Sequence, residues 1–270
     1  MKIGVIAGNR MLPVELARGI KQKDRGREVV AICFKGETSR SILDYCDKAY
    51  WIYPGQLARL RAIIKEENIK QCVMAGQISP WRIFYPRYWD AELSELIKNN
   101  KDFRPHAIFT SIINHIQQDG VEFIDSTLYL NEAMATKGLM NSIPLNEKTV
   151  RDVDYGVSII KRFVELDVGQ TIAVKECAVV AAEALEGTDN TIKRAGKLAG
   201  KGVTVIKFSK SNQDLRFDVP VVGIKTLKVL QRIQASALAI EDDQVIILEK
   251  DKFLSLADKW RISIVGIVNG

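Results

Sequence analysis

Lys2-Ile3-Gly4-Val5-Ile6-Ala7-Gly8-Asn9-Arg10-Met11-Leu12-Pro13 is the stretch on which the fold turns. An apolar run of strand length ends at Gly8, and Pro13-Val14-Glu15-Leu16-Ala17 then opens a helix, since proline is tolerated in a helix's first turn. Strand, glycine turn and helix in that order begin a parallel βαβ unit. The alternation continues outward. Val29 to Phe34 and Lys48 to Ile52 read as second and third strands, and Leu57, Leu60, Ile63 and Ile64 stand at helical spacing within 55–67. Gln71 to Ala75 reads as a fourth strand ending at Gly76. Helical stretches follow over about 88–98 and 105–118, and then V-E-F-I-D at 121–125. The pattern predicts an α/β domain over 1–130 with a parallel, doubly wound sheet covered on both faces.

Residues 126–147 mix polar residues with Met134, Gly138, Met140 and Pro144 and show no periodicity, so a linker is placed at 131–146. Beyond it the grammar changes. A helix over about 147–166 precedes T-I-A-V-K (171–175) and A-V-V-A-A-E-A-L-E (178–186), which pair as a hairpin across Glu176-Cys177. A helix opens after Gly187-Thr188-Asp189, V-T-V-I-K-F (203–208) reads as a strand, and the tail carries two helices and three further strands. This second domain, 147–270, reads as α+β.

The bulk properties bound the function. A hydrophobic fraction of 47% with 27% charged residues is that of a soluble globular protein, and no apolar run approaches the ~20 residues that span a bilayer. The start has no cleavable leader pattern, so a cytoplasmic protein is expected. Net charge is +6, which favours anionic partners, but no block of Lys and Arg marks a nucleic-acid tail, and nucleic acid is not expected. Cys33, Cys46, Cys72 and Cys177 show no C-x-x-C spacing, which disfavours structural zinc and disulfides.

Several places can carry chemistry. Backbone N–H groups of the helix behind Gly8 and Asn9 suit a phosphate, although Gly8 also serves a tight turn alone. Gly4 and Gly8 do not make the G-x-G-x-x-G fingerprint, so a dinucleotide is disfavoured. Met74-Ala75-Gly76-Gln77-Ile78 gives a second glycine turn at a strand's carboxyl end, where open α/β sheets bind ligands. Glu183-Ala184-Leu185-Glu186-Gly187-Thr188-Asp189 holds more carboxylates than helix capping needs. In Q-D-L-R-F-D-V-P (213–220), a strand puts Asp214, Arg216 and Asp218 on one face and Leu215, Phe217 and Val219 on the other. Glu183, Asp189, Asp214 and Asp218 together suit Mg²⁺, a hard ion that takes oxygen ligands. The aromatic segment 81–89, W-R-I-F-Y-P-R-Y-W, suits a membrane interface, the rim of an apolar site or simple packing. His106 and His115 read as surface or packing residues.

Four segments stand in order: G-V-I-A-G-N-R-M-L-P, V-M-A-G-Q-I, D-V-G-Q-T-I-A-V with A-L-E-G-T-D, and Q-D-L-R-F-D-V-P-V-V-G. With them the chain resembles the UDP-2,3-diacylglucosamine pyrophosphatase family of lipid A biosynthesis, the LpxI type, over nearly its whole length. Gly-Asn-Arg stands where that family usually shows a glycine run, and Gln77 where it often has lysine. The resemblance implies a Rossmann-like N-terminal domain and a family-specific C-terminal domain. It implies Mg²⁺-dependent hydrolysis of UDP-2,3-diacylglucosamine to UMP and 2,3-diacylglucosamine 1-phosphate, by an enzyme peripheral to the cytoplasmic face of an inner membrane. It ranks Asp218 first for catalysis, with Asp214 and Arg216 beside it. Gly8, Asn9, Leu12, Gly76, Gln77, Gly187, Thr188, Asp189 and Gln213 would line the substrate. The rival readings are a hydrolase of another, soluble nucleotide-sugar and a non-catalytic nucleotide or lipid sensor.

Overall fold

The computed structural model describes residues 1–78, 88–100, 102, 105–210 and 213–269, with the backbone alone at 105 and 106. The chain divides into two units: Met1–Leu130 with Leu215–Phe217, and Asn131–Asp214 with Asp218–Gly270.

In the first unit, strands β1 (Lys2–Ala7), β2 (Glu28–Phe34), β3 (Lys48–Ile52), β4 (Gln71–Ala75) and β5 (Glu122–Phe123) form a sheet of order β3-β2-β1-β4-β5. Every pairing is parallel. Ile3, Val5, Ile6 and Ala7 are all buried, as a central strand covered on both faces requires. The helices are α1 (Leu12–Lys23), α2 (Leu57–Glu66), α3 (Ala91–Lys98) and α4 (Pro105–Gln117). Leu57, Leu60, Ile63 and Ile64 are the buried stripe of α2, so the helical spacing read in the sequence is the stripe the core uses. Strand order reverses between β1 and β4, and that reversal is the switch point of the unit.

The second unit holds a mixed sheet of order β6-β13-β11-β9-β7-β8. Its strands are β6 (Gly138–Leu139), β7 (Thr171–Lys175), β8 (Ala178–Ala182), β9 (Thr204–Lys207), β11 (Ala237–Glu241) and β13 (Ser263–Ile267). β9, β11 and β13 run parallel, while β7 runs antiparallel to β9 and to β8. A two-stranded parallel pair, β10 (Val221–Val222) and β12 (Ile246–Ile247), stands apart. The helices are α5 (Glu147–Glu165), α6 (Thr188–Ala199), α7 (Ile224–Arg232) and α8 (Lys250–Lys259). The expected hairpin forms across Glu176 and Cys177, both with positive φ (52° and 56°), the twist a two-residue hairpin demands. Neither residue is glycine. The buried carboxylate of Asp152 on α5 accepts the Cys177 N–H at 2.8 Å and supports the turn.

Three segments differ from the sequence reading. Residues 131–146 carry a 3₁₀ turn at Asn131–Ala133 and then β6, which pairs antiparallel with β13. That approach needs Gly266, where a Cβ would lie 2.0 Å from the Thr136 carbonyl oxygen. Two residues are too few to show a strand's period. Second, β8 stops at Ala182, so Glu183 lies just past its carboxyl end. Third, residues 215–217 form a turn, not a strand: the Asp218 N–H donates to the Asp214 carbonyl at 2.8 Å. Pro220 has no N–H for a ladder, and alternation without a partner strand leaves the local bond to decide. Seven of the nine residues in the aromatic segment 81–89 lie outside the described residues, with only Tyr88 and Trp89 inside.

Candidate functional site

Each sheet offers its carboxyl edge. In the first unit the turns after β1 and β4 flank the switch point and are bonded to each other. Gly8 N–H donates to the Ala75 carbonyl at 2.8 Å, and Asn9 N–H to the Gln77 carbonyl at 2.7 Å. A Cβ on Gly8 would lie 2.6 Å from the Gln77 oxygen, and one on Gly76 2.4 Å from the Asn9 oxygen, with Gly76 at φ +79°. Both glycines are therefore required by backbone contact. The N–H groups of Gly8 and Asn9 serve that contact, Val14 and Glu15 donate to the Met11 carbonyl at 3.0 Å and Pro13 has no N–H, so the first turn of α1 offers an anion few N–H groups. Asn9 donates through Nδ2 to Glu37 at 3.0 Å, and its buried Oδ1 has no hydrogen-bond partner among the described residues. Leu12 is buried in α1, and the Gln77 side chain is exposed.

The second unit's carboxyl edge is built from side chains. Glu183 follows β8, Thr171 begins the antiparallel β7, Lys207 ends β9 and Glu241 ends β11, so topology gathers four buried polar residues at one end of the sheet. Lys207 is 3% exposed and donates to Thr188 Oγ1 at 2.9 Å. Thr188 in turn donates to Glu183 Oε1 at 3.0 Å and lies 3.2 Å from Thr171 Oγ1. The hydroxyl at the start of α6 is thus fixed by a buried lysine on one side and a buried carboxylate on the other. Among the described residues, Glu183 Oε2, Gln170 Oε1 and Gln213 Nε2 are buried without a hydrogen-bond partner. Such atoms cost about 1–3 kcal/mol each, and a ligand or water group relieves that cost. Glu241 accepts from the Ser209 backbone N–H at 2.6 Å, from its hydroxyl, and from Asn269 at 2.7 Å.

Of the residues expected at the site, Gly187 caps α6 with φ +76° and open space beside its Cα. Asp189 accepts from Thr226 Oγ1 at 2.8 Å and pairs with Lys225 at 3.3 Å, which ties α6 to the start of α7. Gln213 accepts the Lys210 N–H at 2.9 Å. Asp214 and Asp218 lie one turn apart on the loop after β9, both half-buried, and Arg216 between them reaches Gln117 Oε1 at 3.5 Å. The four carboxylates expected as metal ligands are not drawn into one cage. Among the described residues no group of three or more His, Cys, Asp or Glu side chains is placed to hold a metal ion. The arrangement fits only an ion that keeps most of its waters and takes one or two carboxylates, as Mg²⁺ on a phosphate substrate does.

Lys207, Glu241, Thr171 and Gln170 were not singled out in the sequence, yet a signal was there. V-T-V-I-K and A-L-A-I-E each end a buried apolar strand on a charge, and a charge so placed needs partners or a ligand. His115 instead joins a structural cluster, with Nε2 2.6 Å from Glu92 beside the Arg61–Asp119 pair. Among the described residues no helix is long and apolar enough to cross a membrane.

Residues 2–133 match the family model of the LpxI N-terminal domain, and residues 136–265 that of the LpxI C-terminal domain. A relative from Caulobacter vibrioides, named UDP-2,3-diacylglucosamine pyrophosphatase LpxI, is 22% identical over 98% of this chain and 97% of its own. Among solved structures, the biotin carboxylase domain of Hydrogenobacter thermophilus 2-oxoglutarate carboxylase is 14% identical with a TM-score of 0.30, over 73% of this chain. A phosphoribosylglycinamide synthetase from Anaerococcus prevotii is 10% identical with a TM-score of 0.29, over 71%. This chain spans 41% and 42% of those two structures, and likenesses so slight carry no argument.

Proposed function

This chain belongs to the LpxI family, and from that premise we propose that it hydrolyses the pyrophosphate of UDP-2,3-diacylglucosamine to UMP and 2,3-diacylglucosamine 1-phosphate in lipid A biosynthesis. The observation that carries the reading is the buried Lys207–Thr188–Glu183 chain at the carboxyl edge of the second unit, where the sheet's own topology directs a ligand. The first-turn N–H groups of α6 receive a phosphate oxygen. Lys207 and Glu183 hold the Thr188 hydroxyl in one orientation, so that it meets the substrate without reorganising. Asp218, or Asp214 one turn before it, takes the proton of the attacking water. Arg216 orients the two acids or meets a phosphate oxygen.

Mg²⁺ belongs to the proposal as an ion carried largely by the substrate's phosphates, where it offsets charge and acidifies water. The enzyme works at the cytoplasmic face of the inner membrane, as a peripheral protein, because its substrate is a glycolipid. The test is UMP release from UDP-2,3-diacylglucosamine by purified protein. Release that stops in excess EDTA and returns with Mg²⁺ supports the whole reading. Undiminished release in EDTA removes the metal, and no release with any divalent ion removes the reaction. Turnover of soluble UDP-sugars at the same rate selects the rival hydrolase.

A further inference from the structure

We infer that Ser126 is a positioning residue for the hydrolysis: it holds the Leu215 carbonyl and, through it, the turn that carries Asp214 and Asp218. The assignment rests on the roles proposed above for those two acids. It starts from a change of partner within one short loop. Leu215–Phe217 packs with the first unit, while Asp214 before it and Asp218 after it belong to the second.

The anchorage is built residue by residue. Ser126 is fully buried, and both its donors go to one acceptor: the hydroxyl reaches the Leu215 carbonyl at 3.0 Å and the backbone N–H at 3.3 Å. Arg216 reaches Gln117 Oε1 at 3.5 Å, and the Phe217 ring lies 5.9 Å from that of Phe109 on α4. Ser126 is itself fixed. It follows β5 and opens a 3₁₀ turn, Ser126–Tyr129, capped by Asp125, whose carboxylate accepts the Thr127 N–H and hydroxyl, each at 2.7 Å. The first N–H groups of a helical turn have no acceptor within it, and Ser126 directs its own to Leu215.

The acids inherit this anchorage. Among the described residues no strand pairs with 214–218, and the Asp218 N–H closes the turn on the Asp214 carbonyl at 2.8 Å. With its two ends pinched together the turn moves as one piece, so a shift at Leu215 reaches both carboxylates. A displacement of about 1 Å can cost on the order of a hundredfold in rate. The Ser126 bond therefore acts on the rate of hydrolysis more than on substrate binding. A serine that only stabilised the fold would act on neither.

The experiment compares Ser126→Ala with wild type in single-turnover UMP release, equilibrium substrate binding and thermal melting. The hydroxyl's hydrogen bond is worth about three- to tenfold, so the folded variant should release UMP more slowly by that factor and bind substrate within about twofold of wild type. In an Asp218→Ala background the same substitution should slow release no further, because the group it positions is gone. An unchanged rate in the otherwise wild-type protein, or an equal slowing in both backgrounds, overturns the assignment.

A second arm is independent of turnover: amide hydrogen exchange without substrate. Exchange at Asp218 should rise about three- to tenfold in Ser126→Ala, while Val5 and Val205, buried in the two sheets, keep their wild-type rates. Exchange at Asp218 that is unchanged, or that rises equally at Val5 and Val205, overturns the assignment. If the wild type yields no UMP, the reaction fails while this arm still decides whether Ser126 holds the turn. Where Ser126→Ala does not fold, Phe217→Leu, which loosens the same loop from the Phe109 side, replaces it in both arms.

Discussion

Both units bury a carboxylate in a cluster with lysine, paired directly in the first and bridged by Thr188 in the second, at opposite ends of their sheets. In the first unit Glu67 receives Lys2 Nζ at 2.6 Å, Lys48 Nζ at 3.1 Å and the Tyr50 hydroxyl. Lys2 and Lys48 are the first residues of β1 and β3, so this cluster closes the amino edge. In the second unit Glu183, Lys207 and Glu241 stand at the carboxyl edge. Glu67 has a complete set of donors, and the hydrogen bonds from Lys2, then Tyr50 and Lys48, hold its carboxyl down at about 2. Glu183 keeps one buried oxygen with no partner among the described residues. A satisfied cluster stabilises a fold. An unsatisfied one, at the edge where α/β sheets bind ligands, is where the proposed substrate would be received.

The largest expected effect lies beyond the second edge. Asp218→Ala should lower kcat by ~10²–10⁴, the span of one general acid or base, while equilibrium binding of the substrate persists. A folded variant with near-wild-type single-turnover rate would take Asp218 out of the mechanism. Next comes Lys207→Met. It removes a charged donor from Thr188, and hydrogen bonds to charged groups are worth about 1.5–3 kcal/mol, so kcat/KM should fall roughly tenfold to a hundredfold in steady-state assays.

Gly76→Ala probes backbone contact in the first unit. A Cβ 2.4 Å from the Asn9 oxygen at φ +79° should cost about 2–4 kcal/mol of stability, read as a lower urea midpoint. The smallest effect is Glu67→Gln. The folded carboxyl lies near 2 against an ordinary 4.5, so its stabilisation is full above pH 4.5 and is lost as pH falls towards 2. Urea midpoints of wild type and variant should differ at pH 7 and converge near pH 2. A gap that persists at pH 2 would show that the Glu67 charge is not its source.

The two edges were unequally legible in the sequence. β3 and β4 have the bounds their sequence runs predict, and in β4 Cys72, Val73 and Ala75 are buried, as a strand inside a parallel sheet requires. Gly8 and Gly76 announced themselves for a similar reason, since a backbone-to-backbone contact tolerates no other residue. Lys207 and Glu241 escaped because their partners lie far along the chain: Thr188 is 19 residues from Lys207. Strand alternation misread Asp214, Arg216 and Asp218. Residues with the period of a strand form a turn when no neighbouring strand offers a ladder, and the Asp218 N–H goes to Asp214. β6 left no signal, for its pairing is permitted by a glycine more than a hundred residues away.

The contrast between the edges comes down to one measurement: single-turnover UMP release by Lys207→Met and Glu67→Gln, side by side at neutral pH, with melting curves to establish folding. The account predicts that Glu67→Gln releases UMP within about twofold of wild type, while Lys207→Met is at least tenfold slower. Equal losses in the two folded variants, or a loss confined to Glu67→Gln, would contradict it.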